Sequence, residues 1–223
     1  MHVQTAQPGQ RDAGTLGVPL PLPGEDQARA DLYGLLARLL FVPPDAGLLA
    51  ALATAEPICA DGSAAPLEQA WHKLALAASV TEADAVADEF NALFVSIGTP
   101  RLNPYESFYL SGYINDKPLA DLRADLAGLR LARAGNAGEF EDHLGAMCET
   151  MRILVTGAPG LPRQPLSRQK WFFERHIAPW HARCLADIAA DEQASFYRLV
   201  AAFAQAFFAV EAEAFAFEES IDD

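Results

Sequence analysis

The chain has 223 residues, 51% of them apolar, and 16 Lys+Arg against 30 Asp+Glu leave a net charge of −14. That charge repels nucleic acid and anionic membrane surfaces and steers in a cationic peptide or protein segment, although acidity also serves solubility alone. Ala and Leu dominate, and no stretch alternates apolar and polar residues long enough for a strand, so the expected fold is all-α. The length suits a single globular helical bundle, as one large domain or as two lobes sharing a core.

Residues 1–24 are rich in Gln, Gly, Pro and Thr and read as a flexible tail, with neither a basic start nor a long apolar run. Helical chain is expected over 25–218, followed by a short tail at 219–223. Leu32, Leu35, Leu36, Leu39 and Leu40 recur at helical spacing over about 25–41, and Pro43-Pro44 ends that helix. Asp45 caps a short helix to about 55, a loop covers 57–66, and a third helix carries Trp71, Leu74 and Leu76. Thr81-Glu-Ala-Asp84 resembles a capping box opening a fourth helix to about 93.

A Gly/Pro-punctuated loop follows, and a short helix is expected over 108–114. The stripe Leu119, Leu122, Leu126, Leu129 marks a helix over about 118–134, stopped by Gly135-Asn-Ala-Gly138. The next helix is expected over 139–156, ended by Gly157. Ser167 is a candidate cap for the helix holding Trp171, Phe172, Phe173 and His176, which Pro179 breaks or kinks. A segment over 180–190 and a long helix after Asp191 complete the chain. Its apolar part, 199–217, is interrupted by Gln205, Glu211 and Glu213 and reads as a core helix, not a membrane span. Cys59, Cys148 and Cys184 are scattered and without CxxC spacing, which suits reduced thiols of a cytoplasmic protein.

Two stretches carry candidate function. In the central loop, Glu106 and Ser107 lie between Tyr105, Phe108 and Tyr109. Aromatic rings give rigid contact area at small entropic cost, and flanking polar groups fix orientation, so recognition suits this loop better than covalent chemistry. The second stretch is Glu139–Asp142–His143. On a helix, Glu139 and His143 would share a face. The cluster then reads in three ways: a metal-binding enzyme site, a histidine that caps or tethers a neighbouring loop, or a recognition site in which Asp142 supplies charge. A di-metal bundle would need a second Glu-x-x-His cluster, which His72, His176 and His181 do not supply. Phosphate-binding glycine loops and a nucleophile elbow are absent from the sequence.

Three ordered motifs carry a family resemblance over about 31–213. The first is Glu89-Phe90…Leu93-Phe94 followed by Pro104-Tyr105-Glu106-Ser107-Phe108-Tyr109; the second is Asp142-His143-Leu144; the third is Phe172-Phe173…His176…Trp180. Together they resemble the TorD/DmsD/NarJ-type chaperones of molybdoenzyme maturation. Two departures stand out: Phe140-Glu141 replaces a proline usual before Asp-His, and Met147 replaces a glutamate four residues after the His, with Glu149 two further on. The resemblance implies a cytoplasmic, non-catalytic chaperone without a cofactor or metal of its own. Its partner would be the apo form of a molybdopterin-dependent oxidoreductase or that enzyme's twin-arginine signal peptide, bound by a monomer or homodimer. Tyr105, Glu106, Ser107, Tyr109, Asp142 and His143 are the expected client contacts, supported by Glu89, Phe94, His176 and Trp180.

Overall fold

The computed structural model describes residues 3–5, 22–58, 65–95, 100–133 and 138–219. Most of the expected N-terminal tail, residues 220–223 of the C-terminal tail, and Cys59 lie outside them. The described residues form ten α-helices: α1 (Gly24–Phe41), α2 (Ala46–Ala53), α3 (Ala65–Ala78), α4 (Ala83–Phe94), α5 (Glu106–Ser111), α6 (Lys117–Gly128), α7 (Leu144–Thr156), α8 (Leu166–Phe172), α9 (His181–Ala190) and α10 (Phe196–Glu219). A single turn of π-helix, Phe173–Ile177, continues α8. Inside the expected tail, Val3–Thr5 (β1) pairs antiparallel with Leu131–Arg133 (β2), so a two-stranded ribbon accompanies the helices.

The apolar stripes meet in one contiguous core. Helices α1 and α7 pack most closely, and α10 runs against α3 and α9. Gly145, at the start of α7, permits the close approach: a Cβ there would lie 3.2 Å from the Phe41 ring and 3.3 Å from the Ala37 carbonyl oxygen. Phe172, Phe173, Trp180, Phe203, Phe207 and Phe208 are all buried, and Trp171 is half-buried. Among the described residues α10 is the one helix long and apolar enough to cross a membrane. Here its apolar face is spent on the core, through Tyr197, Val200, Phe203, Phe207, Phe208 and Phe215. Cys148 and Cys184 are buried free thiols, and burial pushes both above the ordinary thiol range.

Several boundaries differ from the expected ones for local reasons. Asp45 caps α2 as expected, accepting from the Leu48 N–H at 2.8 Å. Thr81 does not cap α4; its hydroxyl donates back to the Ala77 carbonyl in the last turn of α3 at 2.7 Å. Ser167 lies inside α8, which Pro165 opens without a side-chain cap. The Leu119–Leu129 stripe is buried, but α6 ends at Gly128, and Arg130 adopts a left-handed φ of 60° that turns the chain into β2. Helix α5 begins at Glu106, two residues before the expected start, because the loop closes into a helical turn as soon as it passes Pro104.

Glu89 holds the two halves of the chain together. Its carboxylate accepts from the backbone N–H groups of Ser195, Phe196 and Tyr197 at 2.8, 3.0 and 2.7 Å, capping α10 from the side of α4. The free N–H groups of a helix start and the positive end of its dipole both favour a carboxylate. Glu89→Ala is expected to lose about 2 kcal/mol, the upper range for a cap. That corresponds to a fall of roughly 4–8 °C in melting temperature for a domain this size. Thermal denaturation checks it, and Glu89→Gln should recover part of the loss.

Candidate functional site

The central loop and the Asp-His stretch meet, although not on a helix. Residues 139–143 are not helical: α7 starts at Leu144, and the extended backbone of His143 forms its N-cap. The expected 139–156 helix is therefore five residues too long at its start, and Glu139 and His143 do not share a helical face. This turn instead pairs with the loop. Tyr105 and His143 form an isolated antiparallel bridge, the Glu106 N–H donates to the Asp142 carbonyl at 2.9 Å, and the Leu144 N–H donates to the Pro104 carbonyl at 2.9 Å.

Side chains reinforce this pairing. The Asp142 carboxylate, fully buried, accepts from the N–H of Ser107 at 3.0 Å and from its hydroxyl. The Tyr105 hydroxyl donates to Glu139 in a short hydrogen bond. His143 Nδ1 accepts from the Gly145 N–H at 3.0 Å, so the proton of the neutral ring sits on Nε2. Burial pushes His143 down to about 3, which keeps the ring neutral at physiological pH. The imidazole stacks on Phe41, with ring centroids 5.1 Å apart, and meets the edge of Tyr105.

A second tie runs to the π turn, where the Ala178 N–H reaches the Phe173 carbonyl and Pro179 supplies no N–H to restore the α pattern. The turn places His176 between two carboxylates. Nδ1 lies 3.2 Å from Glu106 Oε1 and Nε2 lies 3.0 Å from Asp125 Oδ2, which also accepts from Arg175. Trp180 donates its indole N–H to the His176 carbonyl at 2.6 Å and stacks on Tyr109 at 5.5 Å. The Tyr109 hydroxyl in turn donates to Asp187 at 2.8 Å. Both Glu106 and Asp142 are held above the ordinary carboxylate range, burial being the chief cause.

Five of the six expected contact residues are therefore buried: Glu106, Ser107, Tyr109, Asp142 and His143. They bond chiefly to one another and to the helices behind them. Tyr105 is half-buried and lines a groove of about 180 Å³ bounded by the end of α1, the end of α4 and the loop. His143, Phe41, Phe94, Val95, Ile114 and Glu139 are among its other lining residues. Residue-type reasoning missed Phe41, Val95 and Ile114, since no local motif marks them and only the packing of α1 on α7 brings Phe41 to the site. Among the described residues, no three His, Cys, Asp or Glu side chains converge as metal ligands. Glu139, Asp142 and His143 bond to Tyr105, Ser107 and Gly145, three different partners, so the premise of the metal-enzyme reading is not met.

Residues 60–186, which contain all but the edge of this site, match the family model described as nitrate reductase delta subunit. The chain belongs to that family. Its members are the maturation chaperones that the three sequence motifs resemble, and redox enzyme maturation is thus the role this delta-subunit family member carries. The fold has a solved counterpart: the crystal structure of a proposed redox enzyme maturation protein from Archaeoglobus fulgidus superposes with a TM-score of 0.51 at 21% identity. That likeness covers 85% of this chain and 95% of the other. No curated protein matches the chain by sequence. Within the delta-subunit fold, then, the motif residues chiefly build a scaffold, and the groove beside them is the accessible surface.

Proposed function

We propose that this protein is a cytoplasmic, non-catalytic chaperone that holds the apo form of a molybdopterin-dependent oxidoreductase by its twin-arginine signal peptide until the cofactor is in place. The observation that carries the reading is the groove, whose apolar and aromatic walls end in the carboxylate of Glu139. An apolar peptide stretch gains burial against Phe41, Phe94, Val95 and Ile114, and arginines beside it meet Glu139 within a protein of net charge −14. Tyr105 and His143 touch the peptide in this reading. Glu106, Ser107, Asp142 and Tyr109 act from behind, keeping the groove wall in position, with His176 and Trp180 behind them.

Val95 and Ile114 are exposed enough to change without opening the core, at 56% and 38% exposure. Val95→Asp and Ile114→Asp should each weaken binding of a twin-arginine peptide about tenfold or more and leave the melting temperature within about 1 °C, as expected of surface changes. A peptide with both arginines replaced by glutamine is the control. Its affinity should be lower at low salt and approach that of the native peptide as salt rises, since the Debye length falls from ~10 Å at 0.1 M to ~3 Å at 1 M. Equal affinity of both peptides at low salt would refute the arginine-reading role, and unchanged affinity of both variants would refute the groove.

A further inference from the structure

Beneath the groove lies a buried pair of carboxyls whose arrangement goes beyond the client reading and does not depend on it. Each spends one oxygen on a named partner: Glu106 Oε1 on His176, and Asp142 Oδ2 on Ser107. The other oxygens, Glu106 Oε2 and Asp142 Oδ1, are buried and receive no hydrogen bond among the described residues. The two residues are joined through the backbone by the Glu106 N–H and the Asp142 carbonyl. Two anionic carboxylates so placed repel each other and lose hydration, a cost that a proton on either one removes.

We propose that the Glu106–Asp142 pair keeps one proton in the folded protein at pH values where the unfolded chain has already released it, and forms a proton-dependent latch between the central loop and the segment entering α7. Several charged groups face the pair. From the π turn come His176 and Arg175; Asp125 of α6 reaches it through His176; Arg123 of α6 and Glu141 face the Asp142 side, as does the Tyr105 hydroxyl. The His176 contacts and the Arg175 charge favour the ionised form of Glu106, and burial outweighs them. Both ring nitrogens face carboxylate oxygens, so the Asp125–His176–Glu106 chain needs two protons to make both bonds, and the acid form of Glu106 can supply one of them. Burial holds both carboxyls of the pair above their ordinary range, as the proposal requires. When pH rises far enough to take the proton, two buried charges repel and the tie weakens.

The sign of the linkage follows directly. Above the ordinary carboxylate range the folded protein holds a proton that the unfolded chain has released, so stability falls as pH rises. One retained proton changes the folding constant by up to about tenfold per pH unit until the pair itself ionises. Denaturation of the free protein at a series of pH values between about 5 and 8 measures this, in wild type, Glu106→Gln and Asp142→Asn. Glu106→Gln offers His176 an amide N–H in place of the acid proton, Asp142→Asn keeps an acceptor for Ser107, and each removes the acid. The His143 contribution is common to all three proteins and cancels in the differences. Wild type should lose stability relative to both variants as pH rises, and amide exchange at Glu106 and Leu144, whose N–H groups tie the two segments, should lose protection over the same range only in wild type. Parallel pH profiles in wild type and both variants would overturn the latch, as would exchange protection at these two amides that is independent of pH in wild type. Should one variant fail to fold, the other decides by the same comparison.

Discussion

Arg29→Ala is expected to destabilise the protein by about 3–5 kcal/mol, the range for removing one partner of a buried ion pair. The guanidinium of Arg29, on α1, binds Glu211 of α10 with both arms, Nε to Oε1 at 2.7 Å and an η nitrogen to Oε2 at 2.8 Å. The Tyr33 hydroxyl also donates to Glu211, at 2.8 Å, and Gln169 of α8 accepts from Arg29 at 3.0 Å. Glu211 is 1% exposed, so without Arg29 its charge has no route to water. Burial alone would lower the Arg29 pKa, but the bonds to Glu211 more than offset it and hold it above the ordinary arginine value. For a domain this size the loss corresponds to a fall on the order of 10 °C in melting temperature. Replacing both partners together, Arg29→Met with Glu211→Leu, should be far less damaging, because an apolar pair leaves no buried charge unpaired. Chemical denaturation of wild type and the two variants checks the ordering.

Trp180→Ala should cost a similar amount, about 3–5 kcal/mol, through the cavity it leaves. It also removes the face on which Tyr109 stacks and the donor that holds the His176 carbonyl. Trp180→Phe separates these effects. It keeps most of the ring volume but removes the indole donor to that carbonyl, and should cost about 1–3 kcal/mol. If the groove wall depends on this support, both variants should also lower peptide affinity in proportion to lost stability, whereas the groove-surface variants should lower affinity alone. Melting curves and peptide titration on the same preparations distinguish the two patterns.

Helix-forming composition and leucine spacing were enough to read the fold class and most elements, because α1, α3 and α4 each bury a face that recurs at helical period. The family motifs likewise marked the two stretches that the fold brings together. What they did not convey was depth. Glu106, Ser107 and Asp142 are polar residues on a Pro-punctuated loop and a His-containing turn, a pattern that suggests exposure when the chain is read locally. Only the pairing of that loop with residues 139–143, some 35 positions away, turns each polar group inward onto a partner. The start of α7 differs from the expected one for a related reason. Residues 139–143 contain acidic residues suited to a helix start, but the pairing with the loop holds them in a turn until His143 supplies the cap. Phe41, Val95 and Ile114 escaped notice because a groove between distant elements leaves no periodic trace in any one of them.

The cap on α10 also bears on how the chain is made. Glu89 and the backbone N–H groups it binds are separated by 106 to 108 positions, so the carboxylate that caps α10 belongs to a residue that left the ribosome long before. Earlier helices are synthesised first, yet Trp71 of α3 and Tyr33 of α1 face ring partners, Phe203 and Phe207, that belong to α10. Until those rings arrive, the surfaces destined to receive them stay open to solvent, a state prone to capture by other apolar chains. Completion of this molecule is therefore a late event in its synthesis, and its earlier helices must wait with their apolar faces uncovered until the last one is made.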